Sequence, residues 1–259
     1  MSTESLHSSK NLKMVLFSVP KGMPVTTSQM ECWGISRQLV HRYVQSGWLE
    51  PLGGGYYRRP GDVITENGAL AALKAQGIGA HVGGKSALSA QGIAHYLSLG
   101  NQKLFLYVTM RKKLPAWFVR LFQCELRLSH LFGEEGGVES RLAVRRQDES
   151  DPYSPYVSEL ERALLEMLDD IPHRQSRDEA AKIMEPLFTL RSDVLQGLLE
   201  ACTRIKVKRL FFALAEEQSL PVLQQLDRSR IDFGSASVYI RTHKGSSLIL
   251  KHPGKAKHG

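Results

Sequence analysis

The chain is 259 residues long, 42% hydrophobic and 23% charged, an ordinary globular composition with room for one small module and a larger partner region. No apolar run approaches the roughly 18 residues of a membrane span, and the start, MSTESLHSSKNLK, lacks the basic, apolar and small-residue succession of a secretory signal. A net charge of +8 admits a polyanionic partner without requiring one.

The distribution of charge says more than its sum. Residues 1–60 hold seven Lys/Arg (Lys10, Lys13, Lys21, Arg37, Arg42, Arg58, Arg59) against three acids (Glu4, Glu31, Glu50). The last nineteen residues add Arg241, Lys244, Lys251, Lys255 and Lys257 and no acid. Two basic ends around a nearly balanced middle suggest two separate contacts with a polyanion. Cys32, Cys124 and Cys202 have neither CxxC spacing nor nearby His. Buried free thiols in a reducing cytosol are therefore expected, with no disulfide, metal or cofactor.

In chain order, Leu12, Val15, Leu16 and Val19 give helical spacing over Leu6–Val19, closed by Pro20 and Gly22. Thr27 is a candidate cap for a short helix from Ser28 to Trp33. Gly34 supplies the tight turn of a helix-turn-helix. Ser36 then caps a second helix that ends at Gly47. On it Ile35, Val40, Tyr43 and Val44 share one face, and Arg37, Gln38, His41, Arg42 and Gln45 share the other. Long donors at helical spacing are the chemistry that reaches base edges and phosphates in a major groove. Trp48 to Leu52, the Gly53–Gly55 turn and Tyr56 to Arg59 predict a two-stranded wing. Exposed Arg and Gln are often just a solvated face, and GGG alone is a turn rather than a phosphate cradle; the ordered set carries the specificity.

Gly61 and Asp62 mark a boundary. A helix is expected over Glu66–Ala75, then short helical pieces over Ser86–Gln91 and Ile93–Leu97. Strands are expected over Lys103–Met110, Cys124–His130 and around Val138–Arg146. Trp117, Phe118 and Leu121 are read as core on a short helix. GIGAHVGGKSAL lacks the residues of a phosphate loop and no strand is read before it, so it is taken as a turn. After DESDPYSPY the pattern turns helical: Ser158 with Glu161 suggests a capping box, and further helices follow over 176–188, 191–202, 207–218 and 220–226. Two short strands and a basic tail end the chain. The fold class is thus α+β: a winged helix-turn-helix over 1–60, then 61–259, with an α+β part to about 150, a helical part to about 230, and strands and tail beyond.

No active site emerges, and no enzyme is expected. Glu159, Glu161, Glu166, Asp169 and Asp170 read as an acidic helix surface. His81, His95, His130 and His173 have no partner at metal or triad spacing. Lys206, Lys208 and Arg209 form either a basic patch for DNA or a partner, or simply an exposed helix start. A DNA-targeted metal enzyme using Asp148, Asp151 or Glu159 is an alternative without a supporting D…ExK pattern. A regulator whose amphipathic helices from 158 to 226 bind a protein partner is another.

Four stretches in order resemble the AbiEi-type antitoxins, transcriptional regulators of type IV toxin–antitoxin and phage-defence operons. They are GISRQLVHRYVQSGWLEPLGGGYYRRPG, SALSAQGIAHYL, VSELERALLEMLDDIP and RIKVKRLFFALAEE. The family's Pro-Glu-Arg-Ala core is Leu160-Glu161-Arg162-Ala163 here. The resemblance implies a cytosolic bacterial repressor of its own operon. Its winged domain would bind inverted repeats in duplex operator DNA, with self-association on the DNA an open point. Its C-terminal domain would counteract a nucleotidyltransferase-like toxin, commonly without a stable complex. Mapped on this chain, the resemblance makes Ser36, Arg37, Gln38, His41 and Arg42 operator readers. It sets Thr27 and Ser28 on a phosphate at a helix N-terminus and makes Tyr57, Arg58 and Arg59 the anchor of the wing.

Overall fold

A computed structural model describes residues 21–93, 103–108, 110, 112–128, 130–132, 142–151, 153–241 and 247–253. The helix expected over Leu6–Val19, most of the piece over Ile93–Leu97, the start of the strand near Val138, His95, Lys244 and the tail beyond 253 lie outside them. In chain order the first elements are β1 (Val25–Thr26), α1 (Thr27–Cys32), α2 (Arg37–Gln45), β2 (Glu50–Gly53), β3 (Tyr56–Arg58) and α3 (Glu66–Ala75). The middle holds β4 (His81–Val82), α4 (Gly84–Ala90), β5 (Leu104–Val108), α5 (Ala116–Leu121), β6 (Cys124–Leu128), β7 (Val144–Arg146) and β8 (Tyr156–Ser158). Then come α6 (Leu160–Asp169), α7 (Arg177–Met184), α8 (Ser192–Ala201), α9 (Ile205–Glu217), β9 (Val238–Arg241) and β10 (Ser247–Leu250). The α+β class read from the sequence is the class observed.

These elements form two compact units. The first is drawn from Met1–Ala80, Arg111–Cys124 and Arg146–Pro155, the second from His81–Met110, Glu125–Arg145 and Tyr156–Gly259. In the first unit Val25, Met30, Ile35, Val40, Tyr43 and Leu49 make a core, with Trp33, Leu39, Val44 and Tyr57 packed against it. Tyr56 meets Trp117 with ring centroids 5.1 Å apart. Leu121, read as core, is instead 47% exposed: on so short a helix Trp117 and Phe118 occupy the buried side. Of the three thiols expected to be buried only Cys202 is; Cys32, at the end of α1, is exposed and Cys124 half-buried.

The second unit is built on a five-stranded sheet in the order β6-β5-β4-β8-β7, β4 running antiparallel to β5 and parallel to β8. Helices α6, α7, α8 and α9 bury Leu164, Leu168, Ile183, Leu198, Leu210 and Phe211. Their apolar stripes therefore form an internal core. The β9–β10 hairpin turns Ile240 and Leu250 inward.

Expectations for this unit are corrected at three places. The acids of α6 are not a surface. Glu166 is 1% exposed; its Oε1 accepts from His81 Nε2 and Arg162 Nε, both at 2.8 Å. Its Oε2 accepts from Ser158 Oγ at 2.9 Å and Gly84 N at 3.0 Å. Burial works to raise its pKa, but His81 and Arg162 outweigh burial and hold the carboxyl below its ordinary value. Glu161 is likewise buried and accepts from Arg191 N at 2.8 Å and Arg191 Nε at 3.1 Å, which holds it low against its burial. Ser158 closes β8 and binds Glu166 instead of capping α6, whose N-cap is Glu159.

The second correction concerns GIGAHVGGKSAL. The stretch is not a plain turn but holds a strand: β4, the middle of the sheet, lies within it and is followed after Gly83 by α4. The anion at this strand–helix junction is the chain's own Glu166. A Cβ on Gly83 would lie 2.3 Å from Glu166 Oε2 and 2.6 Å from Tyr107 Cδ2, which is why glycine stands there. His81, bonded to Glu166, also stacks on Tyr107 with ring centroids 5.6 Å apart. Third, Lys208 and Arg209 are buried, so the start of α9 is no basic patch. Arg209 donates to Phe233 O at 2.9 Å and Gly234 O at 2.8 Å, while Lys206 Nζ donates to Asp169 O and Ile171 O, each at 2.7 Å.

Candidate nucleic-acid interface

The candidate interface is built on α1, α2 and the β2–β3 hairpin. Helix α1 is capped by Thr26, not by Thr27. Thr26 Oγ1 accepts from Gln29 N at 3.2 Å, and Gln29 Oε1 accepts from Thr26 N at 2.9 Å; this reciprocal capping box satisfies two first-turn donors at once. The end of α1 is closed by Gly34 at φ 75°. Its N–H donates to Glu31 O at 2.9 Å and Ile35 N–H donates to Met30 O at 2.9 Å, the paired closure that favours glycine at the left-handed position. Ser36 then caps α2, its Oγ accepting from Leu39 N at 3.3 Å.

With Val40 and Tyr43 fixed in the core, the opposite side of α2 follows from the helical period. Arg37, Gln38, His41, Arg42 and Gln45 are all exposed. They occupy positions i, i+1, i+4, i+5 and i+8, which lie on one face. The sequence grouped these side chains correctly.

The hairpin pairs Glu50 with Arg58 and Pro51 with Tyr57 and carries a bulge between Pro51 and Gly53. It is not a free two-stranded ribbon: β1 adds a third strand, Val25 opposite Tyr57 and Thr26 opposite Tyr56. The tip is tied to α1, since Thr27 N donates to Gly55 O at 3.0 Å and Thr27 Oγ1 to the same oxygen at 3.4 Å. Thr27 is thus committed to the hairpin, while Ser28 is exposed. Tyr57, Arg58 and Arg59 are half-buried, and burial pushes the neighbouring Tyr56 phenol up.

The sequence reading counted the acids of this region but missed their ion pairs. Arg37 Nε meets Glu31 Oε1 at 2.6 Å, Arg58 Nε meets Glu50 Oε2 at 2.7 Å, and Arg59 Nε meets Asp62 Oδ2 at 3.2 Å. The cross-strand register of Glu50 and Arg58 and the three-residue spacing of Arg59 and Asp62 offered a signal; Glu31 and Arg37 sit across a turn with no regular spacing. Elsewhere, Asp148 accepts from Ser150 N at 2.8 Å and Asp151 from Tyr153 N at 2.9 Å, both turn-forming bonds. Glu159 pairs with Arg191. Among the described residues no three His, Cys, Asp or Glu form a metal-holding group, and no helix is long and apolar enough to cross a membrane.

Comparison with known proteins fixes the class. Residues 8–99 match the profile described as "Transcriptional regulator, AbiEi antitoxin N-terminal domain", and residues 101–252 match "Transcriptional regulator, AbiEi antitoxin, Type IV TA system". Both descriptions are of transcriptional regulators. The chain belongs to the AbiEi antitoxin family of type IV toxin–antitoxin systems. Among solved structures it is similar in fold to the RV2827C protein from Mycobacterium tuberculosis, at 12% identity and a TM-score of 0.53, over 90% of this chain and 88% of that one. No curated protein sequence matches it.

Proposed function

We propose that the N-terminal region, over residues 1–60, is a winged helix-turn-helix that reads duplex operator DNA. On this reading the protein represses its own operon as the antitoxin of a type IV pair. The observation that carries the reading is the donor row Arg37, Gln38, His41, Arg42 and Gln45 on α2, exposed above a helix face that is fully engaged in the core. Such a helix can enter a major groove and offer guanidinium and amide groups to base edges. Ser28 faces solvent at the start of α1 to meet a phosphate, and the Tyr57–Arg59 strand flanks the backbone. Residues 61–259 form the remaining region, which counteracts a nucleotidyltransferase-like toxin; the action takes place in the cytoplasm and needs no cofactor or catalytic group. Inverted-repeat sites would bring two copies onto one operator.

The test is a mobility-shift titration of the full chain on its own upstream region and on a scrambled duplex, at two salt concentrations. Specific regulators usually prefer their site by about 10³-fold or more, and phosphate contacts make the affinity fall with salt. Equal affinity for the two duplexes at ~150 mM salt sinks the proposal.

A further inference from the structure

Three arginines of the first unit share one geometry: Arg37, Arg58 and Arg59 each direct Nε, rather than the guanidinium tip, at a carboxylate. We propose that Glu31 is a positioning residue that presents Arg37 to a base edge and thereby sets the sequence preference of the interface. The proposal rests on the DNA-reading function above.

The argument starts from what the pair does not do. The Arg37 side chain is 79% exposed and that of Glu31 39%, and an ion pair so open to water adds next to nothing to folding. Its effect is geometric. Glu31 stands on α1 and Arg37 on the first turn of α2, so the 2.6 Å contact spans the Gly34 turn and ties the side chain to the fixed angle between the two helices. An untethered arginine samples many rotamers and takes whichever phosphate it meets. With Nε engaged by Glu31, the terminal amino groups of this 79% exposed side chain are the donors left to meet the O6 and N7 acceptors of guanine.

Charge works in the same direction. A carboxylate beside Arg37 reduces its general attraction for phosphate while leaving the directional donors in place, so the pair favours a base edge over the backbone. Glu50 with Arg58 and Asp62 with Arg59 place Nε on a carboxylate in the same way, at 2.7 Å and 3.2 Å, but the Arg58 tip is already engaged, its Nη1 donating to Asp62 O at 3.2 Å. Arg42 has an exposed side chain on the same face of α2 with no ion pair recorded among the described residues, and serves as the contrasting case.

The experiment uses the full chain. In vitro selection from random duplexes defines the preferred sequence. Fluorescence anisotropy at ~150 mM salt then measures affinity for that duplex and a scrambled one, for the wild type, Glu31→Gln, Arg37→Ala and the double variant. We expect Glu31→Gln to keep the melting temperature and lower the preference by about two- to fivefold, the ceiling set by what an exposed ion pair can supply. Added to Arg37→Ala, it should cost no further preference. The proposal is overturned if Glu31→Gln leaves the preference unchanged. It is overturned equally if both duplexes tighten by one factor, or if the effect persists without Arg37, since either means that Glu31 acts only as a repelling charge. A wild type that selects no preferred duplex overturns the DNA-reading function itself, and this proposal with it.

Discussion

Glu166→Gln probes the centre of the second unit. The carboxylate accepts from four donors: His81, Arg162, Ser158 and the Gly84 amide. A carboxylate can accept at every position, whereas an amide offers one oxygen and turns an NH₂ group toward donors on its other side. The substitution therefore keeps the shape, sets N–H against N–H at one edge, and leaves the Arg162 guanidinium, 2% exposed, without its buried counter-charge. Removing one partner of a buried ion pair costs about 3–5 kcal/mol, against a total stability of roughly 5–15 kcal/mol for a domain. At about 2–4 °C per kcal/mol for a protein of this size, melting should fall by roughly 6–20 °C. Circular dichroism at pH 7 with a matching urea titration reads both quantities. A variant melting within about 2 °C of the wild type would refute the claim that this carboxylate organises the unit, because ordinary surface substitutions move stability by no more.

Three further outcomes follow from the same geometry. Because the Glu166 carboxyl is held low in the fold, its stabilisation is complete above the unfolded value of about 4.3. It is lost as pH falls from there through the lower folded value, so the gap between wild type and Glu166→Gln should narrow in acid; urea midpoints from pH 7 to 3 measure it, and a constant gap contradicts it. Gly34→Ala puts a side chain at φ 75° with nothing within 4 Å, so only the backbone term applies, about 1–2 kcal/mol, visible as a lower urea midpoint for the first unit. Gly83→Ala drives a methyl into Glu166 and Tyr107; it should cost at least the 1–3 kcal/mol of ordinary overpacking and lower the melting temperature accordingly.

What the sequence revealed was local. Ser36, Gly34 and the alternation of apolar and donor positions along α2 lie within a few residues of one another, so capping and period place them without tertiary knowledge. The strands β1 and β4 are two residues long and carry no periodicity, so the third strand beside the β2–β3 hairpin and the strand before Gly83 were missed. Thr26 and Thr27 differ by one step, and the choice between them as cap depended on Gly55 taking the Thr27 N–H. The α6 acids looked like a surface because their partners, His81 and Arg191, are supplied by distant segments. Lys208 and Arg209 misled for the same reason: charge in a sequence implies water unless a remote carbonyl or carboxylate is known to be waiting. The family signature around Leu160–Ala163 acquires a physical content from these contacts. Glu161 holds Arg191 at the start of α8, and Arg162 holds Glu166.

The central claim, that α2 reads bases, is tested most directly by repeating in vitro selection with Arg42→Ala beside the wild type. The account predicts a wild-type motif with strong preferences and a variant motif of the same spacing in which preference is lost at one base position per half-site, at a cost of about 1–3 kcal/mol on the wild-type sequence. An identical motif for the two proteins, weakened evenly across all sequences, would mean that Arg42 touches only phosphate; a wild-type selection with no motif at all would contradict the reading of the whole helix.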